Sequence, residues 1–183
     1  MGVYTKKGDK GDTSTLDKSK GRMSKDSLTV ESLGSIDELN SFLGVARSFC
    51  DNPERDVFIA DIQDKLFTIA SILAGSKLKI NKSRITRFEK EIDAIEEKIG
   101  AIDSFRYSQG TRFATHLMYA RALARRTERR VVALSHEQTL HPNILQYLNR
   151  LSDMLFMLFR EANFDAQVSE ESWSPKGLTV RDE

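Results

Sequence analysis

From Ser35 onward apolar residues recur every three or four positions, in five successive stretches. That period matches the turn of an α-helix. The first stretch opens at Ser35-Ile36-Asp37-Glu38, a serine with a glutamate three residues on, which predicts a helix start there. It carries Ile36, Leu39, Leu43 and Ala46 on one face and runs to about Cys50. The second runs from about Glu54 to Ala74, with Phe58, Ile62, Leu66, Ile69 and Leu73 in line, and Gly75 ends it. The third starts near Asn81 or Ser83, carries Ile85, Phe88, Ile92, Ile95 and Ile99, and is closed by Gly100. The fourth runs from about Thr111 to Leu134. The fifth begins behind Pro142, a residue suited to a first helical turn, and carries Leu145, Leu148, Leu151, Leu155 and Leu158.

No strand-like alternation of any length accompanies these stretches. They predict an all-α, up-and-down five-helix bundle in a single domain over residues 1–183. Residues 1–30 read as a basic, glycine-containing loop, residues 31–163 as the bundle and residues 164–183 as a polar tail. Past Phe164, which opens it, Trp173 and Leu178 are the tail's largest apolar residues, and Trp173 is the one expected to dock.

Lys plus Arg number 28 and Asp plus Glu 27, a net charge of +1 in 183 residues. That balance argues against a basic nucleic-acid coat and against an acidic disordered chain. Three prolines and ten glycines favour long helices over many turns. The one cysteine, Cys50, excludes an internal disulfide and a cysteine-cluster zinc site, and it reads as a core thiol. No apolar run approaches the ~20 residues that cross a bilayer. Met1 to Gly11 lacks the apolar centre of a secretory signal. A cytoplasmic protein without a membrane partner is the expectation.

Four places could carry chemistry. In Tyr4-Thr5-Lys6-Lys7-Gly8-Asp9-Lys10-Gly11-Asp12-Thr13-Ser14-Thr15, glycines let backbone amides converge on an anion while lysines and hydroxyls add charge and donors. A solvated terminus is the alternative. Arg121, Arg125 and Arg129 share a helix face, with Arg126, Arg130 and Glu128 among them. Like charges at that spacing destabilise an isolated helix by about 0.2–0.5 kcal/mol per pair. Either solvent or an anionic partner must offset this, and arginine suits forked bonds to phosphate or carboxylate. Asp37 and Glu38 suit a helix start electrostatically and could also partner the arginines. Asn149, within Asn149-Arg150-Leu151-Ser152-Asp153, is a weak helix former in mid-helix, either a surface amide or a group with a partner. His116, His136 and His141 do not stand at metal-ligand spacing, and no residue metal site is expected.

Taken in order, four blocks resemble the PduO-type ATP:cob(I)alamin adenosyltransferase family. They are Tyr4 to Gly11, Val30-Glu31-Ser32-Leu33-Gly34-Ser35-Ile36-Asp37-Glu38-Leu39-Asn40, Arg125-Arg126-Thr127-Glu128-Arg129-Arg130-Val131-Val132 and Tyr147 to Phe156. The resemblance spans about residues 3 to 162. It implies a homotrimer of five-helix bundles with ATP bound between neighbouring subunits. It implies that Thr5, Lys6, Lys7, Gly8, Thr13, Ser14 and Lys25 hold the nucleotide, with Arg125, Arg126, Glu128, Arg129 and Asn149 at further ATP-site positions. Asp37 matches an aspartate that pairs with an arginine across the interface, and Phe105 an aromatic beneath the corrin ring; Arg125, Asp37 and Phe105 are therefore the residues expected to act in the reaction.

The implied reaction transfers the 5′-deoxyadenosyl group of ATP to cob(I)alamin and releases triphosphate, with Mg2+ on the triphosphate. A separate reductase and an adenosylcobalamin-dependent acceptor enzyme would be its partners. Positioning and charge stabilisation suffice for such a reaction, in keeping with a chain rich in Arg and Lys and without a nucleophile–base motif. The stretch after the aromatic departs from the family. A Pro-Gly-Gly-like sequence is common there, whereas this chain has Arg106-Tyr107-Ser108-Gln109-Gly110. A nucleic-acid-binding bundle is the rival reading, and both the net charge and the lack of interleaved aromatics count against it. A structural bundle or a nucleotide sensor without turnover is the other.

Overall fold

The computed structural model describes Tyr4 and residues 6–174. Among these residues the chain forms five long helices: α1 (Leu28–Arg47), α2 (Pro53–Leu73), α3 (Lys82–Ile99), α4 (Arg112–Ser135) and α5 (Pro142–Asp165). Four of the five match the expected spans to within a residue or two at each end. Thr111 caps α4 by accepting from the Ala114 amide, and Asn52 caps α2 by accepting from the Glu54 and Arg55 amides. Prolines occupy the first turns of α2 and α5, where a missing N–H costs nothing.

Two expectations need correction. α1 begins at Leu28, not Ser35, so the capping-box reading fails and Asp37 and Glu38 lie in mid-helix. The stripe of buried positions continues backward through Ser32, which is fully buried, and is interrupted again by buried Asn40. Polar residues in buried positions hid the true start. The N-terminal segment is also not a structureless loop. β1 (Asp12–Ser14) and β2 (Arg22–Ser24) pair antiparallel, Thr13 opposite Met23, with a single 3₁₀ turn at Lys18–Lys20 between them. Three-residue strands with one apolar side chain fall below any periodicity signal.

The helices close into a ring in the order α1, α2, α3, α5, α4. Backbones pack α1 on α2, α3 on α5, α5 on α4 and α4 on α1, while α2 and α3 meet through Phe58–Phe88, Arg55–Glu91 and Arg84–Asp61. The helices alternate up and down along the chain, and a ring of five must hold at least one parallel pair. That pair is α3 and α5: Asn143 at the start of α5 reaches the Ile80 carbonyl just before α3, and Lys98 at the end of α3 reaches Asp165 at the end of α5. The connection from α3 to α4 must therefore cross over the C-terminal end of α5. It is this crossing segment that carries Phe105.

Ile36, Leu39, Leu43, Ile62, Leu66, Leu148, Leu151 and Phe159 are all buried to 1% exposure or less in the common core. Each such side chain contributes about 1.5–3 kcal/mol by its transfer from water. Cys50 is not in that core. It sits half-buried past the end of α1, its thiol donating to the Asn52 carbonyl at 3.3 Å, with burial raising its pKa.

Candidate functional site

The hairpin is held as a unit. Arg22 grips Asp12 through Nε and Nη2, both at 2.7 Å, and Nη2 also donates to the Lys7 carbonyl at 2.6 Å. The bond from Arg22 holds the Asp12 carboxyl below its ordinary pKa. Lys25 Nζ donates to the Gly8 carbonyl at 2.9 Å, and a Cβ on Gly8 would stand 3.2 Å from that ammonium. The hairpin is fastened to the bundle by the Asp17 amide, which donates to the Ala74 carbonyl at 3.0 Å. Gly75 makes this approach possible. Its φ is +105°, and a Cβ there would meet Asp17 Cβ at 2.6 Å.

Between the hairpin, α1 and α4 lies a cleft of about 610 Å³ lined by Thr13, Lys25, Gly34, Glu38, Arg126 and Arg130, among others. Arg126 pairs with Glu38, and Arg130 with Glu31 at 3.5 Å. Glu38 thus partners the arginine helix as its sequence allowed, and Glu31, Gly34 and Arg130 join the expected site residues. Gly34 is a mid-helix glycine whose absent side chain leaves the cleft open: nothing lies within 4 Å of where its Cβ would be. That glycine, poor for a helix, was the available sequence signal for the cleft. Ser14 sits one residue beyond Thr13 and lines a neighbouring hollow with Leu16, Val30 and Ala74. Lys6, Lys7 and Gly8 precede β1, and Thr5 lies outside the described residues.

The rest of the arginine block faces another way. Arg125 and Arg129 are exposed, and neither forms a hydrogen bond or ion pair with a described residue. Beside them Asn149 of α5 donates to Glu128 at 2.9 Å, so the mid-helix amide has a partner. Arg121, a turn earlier, lies over the Phe156 ring at 5.4 Å. Burial lowers its pKa and Arg125 adds repulsion. Adjacent helical residues point about 100° apart, so Arg125 and Arg126 open onto two different edges of α4. The structure groups Thr13, Lys25 and Arg126 on one edge, and Arg125, Glu128, Arg129 and Asn149 on the other. Asp37 is exposed on α1 and pairs with no described residue.

Phe105 sits at the opposite end of α4 from the cleft. It is 77% exposed, so it is no core residue at a helix entry. Its ring meets Trp173 edge-on at 6.2 Å, and its carbonyl accepts from the Trp173 amide at 2.8 Å. The tail docks through Trp173, as the sequence suggested; Leu178 lies outside the described residues. Gly110 follows at φ +121°, and a Cβ there would lie 2.0 Å from Asn163 Oδ1. Fully buried Asn163 uses that space to accept from the Thr111 amide and donate to the Gln109 carbonyl. The one glycine retained from the family pattern is therefore the one the backbone requires.

Among the described residues no group of three His, Cys, Asp or Glu side chains could hold a metal ion, and no helix is long and apolar enough to cross a membrane.

Residues 3–162 match the family model described as cobalamin adenosyltransferase. The chain is 36% identical to a corrinoid adenosyltransferase of Bacillus subtilis (strain 168), over all of this chain and 97% of that protein. It is 34% identical to the corrinoid adenosyltransferase PduO of Citrobacter freundii, over 91% of this chain but only 51% of that longer protein. A variant of a PduO-type ATP:corrinoid adenosyltransferase from Lactobacillus reuteri, complexed with cobalamin and ATP, superimposes with a TM-score of 0.90 at 30% identity, covering 95% of this chain and all of that one. The helical fold and the sequence agree with these matches along nearly the whole chain, and the chain belongs to the cobalamin adenosyltransferase family, enzymes of ATP-dependent adenosyl transfer to corrinoids.

Proposed function

We propose that the two edges of α4 are two halves of one ATP site, brought together by neighbouring copies of the chain in a homotrimer. The cleft with Thr13, Lys25 and Arg126 holds the triphosphate from one side. Arg125, Glu128, Arg129 and Asn149 of the next copy hold it from the other. Lys6, Lys7, Gly8 and Ser14 extend the first half-site, together with Thr5. The observation that carries this reading is the pair of exposed guanidinium groups, Arg125 and Arg129, left without a described carboxylate partner on one edge of α4 while the other edge lines a cleft that holds Lys25, Arg126 and Arg130. Exposed Asp37 is placed to pair with an arginine of the adjoining copy.

The reaction then needs little more than orientation. The electron pair of Co(I) attacks C5′ of ATP, the Co–C bond forms, the C5′–O bond breaks and triphosphate departs with its electrons. The negative charge that grows on the leaving oxygen is met by guanidinium and ammonium groups already in place, which is where such groups act most strongly. Mg2+ would sit on the phosphates with water as its other ligands, since the cleft's Glu31 and Glu38 are engaged by Arg130 and Arg126. Phe105 supplies an apolar surface beneath the corrin, excluding water and the lower axial ligand so that Co(II) is easier to reduce.

An anaerobic assay with pre-reduced cob(I)alamin and ATP tests the reading. The spectral change of Co–C bond formation, with one triphosphate released per corrinoid, is the expected result. ATP binding with no spectral change and no triphosphate would instead favour a nucleotide-binding protein without turnover.

A further inference from the structure

The connection that carries Phe105 continues as Arg106-Tyr107-Ser108-Gln109-Gly110, and the structure shows what holds it in place. After α5 the chain reverses at Gln167, a non-glycine residue with φ +56°, and runs back over the crossing segment as a strap. Two backbone hydrogen bonds hold the strap there, the Tyr107 amide donating to the Glu171 carbonyl and the Trp173 amide to the Phe105 carbonyl; together they make an isolated antiparallel β-bridge between Arg106 and Ser172. Under these bonds lies one carboxylate between two guanidinium groups. Glu170 Oε2 is 3.3 Å from Arg106 Nε and 3.3 Å from Arg160 Nε.

The three residues come from three elements. Arg106 belongs to the Phe105 segment, Glu170 to the strap, and Arg160 to α5, where it is 5% exposed and also donates to the Gly100 carbonyl at 3.0 Å. Two largely buried arginines repel each other unless an anion sits between them, and Glu170 is the anion both of them share. On the Arg106 side the contact works through charge more than through a directed bond, since Arg106 Nε and Glu170 Oε1 have no hydrogen-bond partner, whereas Arg160 Nε donates to Glu170 Oε2. Removing the charge while keeping the shape should therefore loosen the strap.

We propose that Glu170 is a positioning residue: by bridging Arg106 to Arg160 it locks the strap over the crossing segment and thereby fixes the ring of Phe105. The consequence for catalysis rests on the reading of Phe105 as the corrin-facing aromatic, whereas the lock itself does not.

Glu170→Gln tests both parts. Trp173 is the chain's one tryptophan, so its fluorescence reports strap docking directly. The variant should show emission shifted toward that of a solvated indole, with the helical circular dichroism of the bundle retained and a thermal midpoint that falls only as far as the loss of one buried charge requires. Its rate from cob(II)alamin, with reduced flavin as the one-electron donor, should fall about tenfold, while its rate from pre-reduced cob(I)alamin stays within about twofold. Arg106→Gln, which also removes the Asp103 ion pair and the bonds to Ser104 and Ser172, should lose at least as much, and the double variant should lose no more than Arg106→Gln alone. Unchanged emission in Glu170→Gln overturns the lock whatever the kinetics. Shifted emission with an unchanged cob(II)alamin rate overturns its role in the reaction, provided Phe105→Ala in parallel does slow that rate. If Phe105→Ala leaves the rate intact as well, the reading of Phe105 falls with it. Equal losses in both rates with a lowered midpoint reduce Glu170 to a structural residue and overturn the proposal.

Discussion

Arg125 and Arg126 are neighbours in the chain and serve different surfaces, which is the clearest residue-scale result. Arg126 is satisfied within the molecule by Glu38; Arg125 is not satisfied by any described residue. Arg125→Ala should therefore leave the thermal midpoint unchanged and remove a charged hydrogen bond to the triphosphate, costing about 1.5–3 kcal/mol of binding or transition-state energy. Normal turnover in a folded variant would make the exposed arginines a solvated face. Gly110 offers the opposite case, a residue whose role is wholly internal. Gly110→Ala would drive a Cβ into the Asn163 amide and break its two bonds to the crossing segment. A buried amide left unsatisfied costs about 1–3 kcal/mol, so the denaturant midpoint should drop measurably. An unchanged midpoint would show that the segment yields freely.

At the scale of elements, the helices were legible where buried positions are apolar and obscure where they are not. The stripes of α2 and α5 could be read directly, since Phe58, Ile62, Leu66, Ile69 and Leu73 are all buried. The first two turns of α1 could not, because Ser32 occupies a core position and Gly34 opens a cleft rather than ending a helix. The hairpin escaped for a different reason: its order comes from Arg22 binding Asp12 and the Lys7 carbonyl, contacts between residues far apart in the chain. The candidate site was legible as residue types and order, through its resemblance to a family, but its division between two edges of α4 was not, since adjacent arginines look alike in a sequence. The hairpin adds few core contacts, so deleting residues 1–14 should spare the bundle's thermal midpoint and abolish ATP binding in calorimetry. Undiminished ATP affinity in the truncated chain would remove the hairpin from the site.

For the whole molecule, the proposed trimer rests on what one copy leaves exposed. Asp37 stands in the middle of α1, where alanine is the better helix former by up to about 0.7 kcal/mol. Asp37→Ala should thus keep or slightly raise the stability of a single copy while weakening the trimer and its activity together. Sedimentation of an intact, fully active trimer would deny Asp37 its place at the interface.

The shared site admits a more direct test. A cleft-side variant, Lys25→Ala with Arg126→Ala, and an edge-side variant, Arg125→Ala, should each lose about tenfold or more alone in the anaerobic cob(I)alamin assay. Unfolded together and co-refolded in equal amounts, they should regain activity, because some interfaces then join an intact cleft to an intact edge. Random assembly gives such an interface about one time in four, so about a quarter of the unmodified activity should return. A co-refolded mixture no more active than its parents would contradict a site built by two copies.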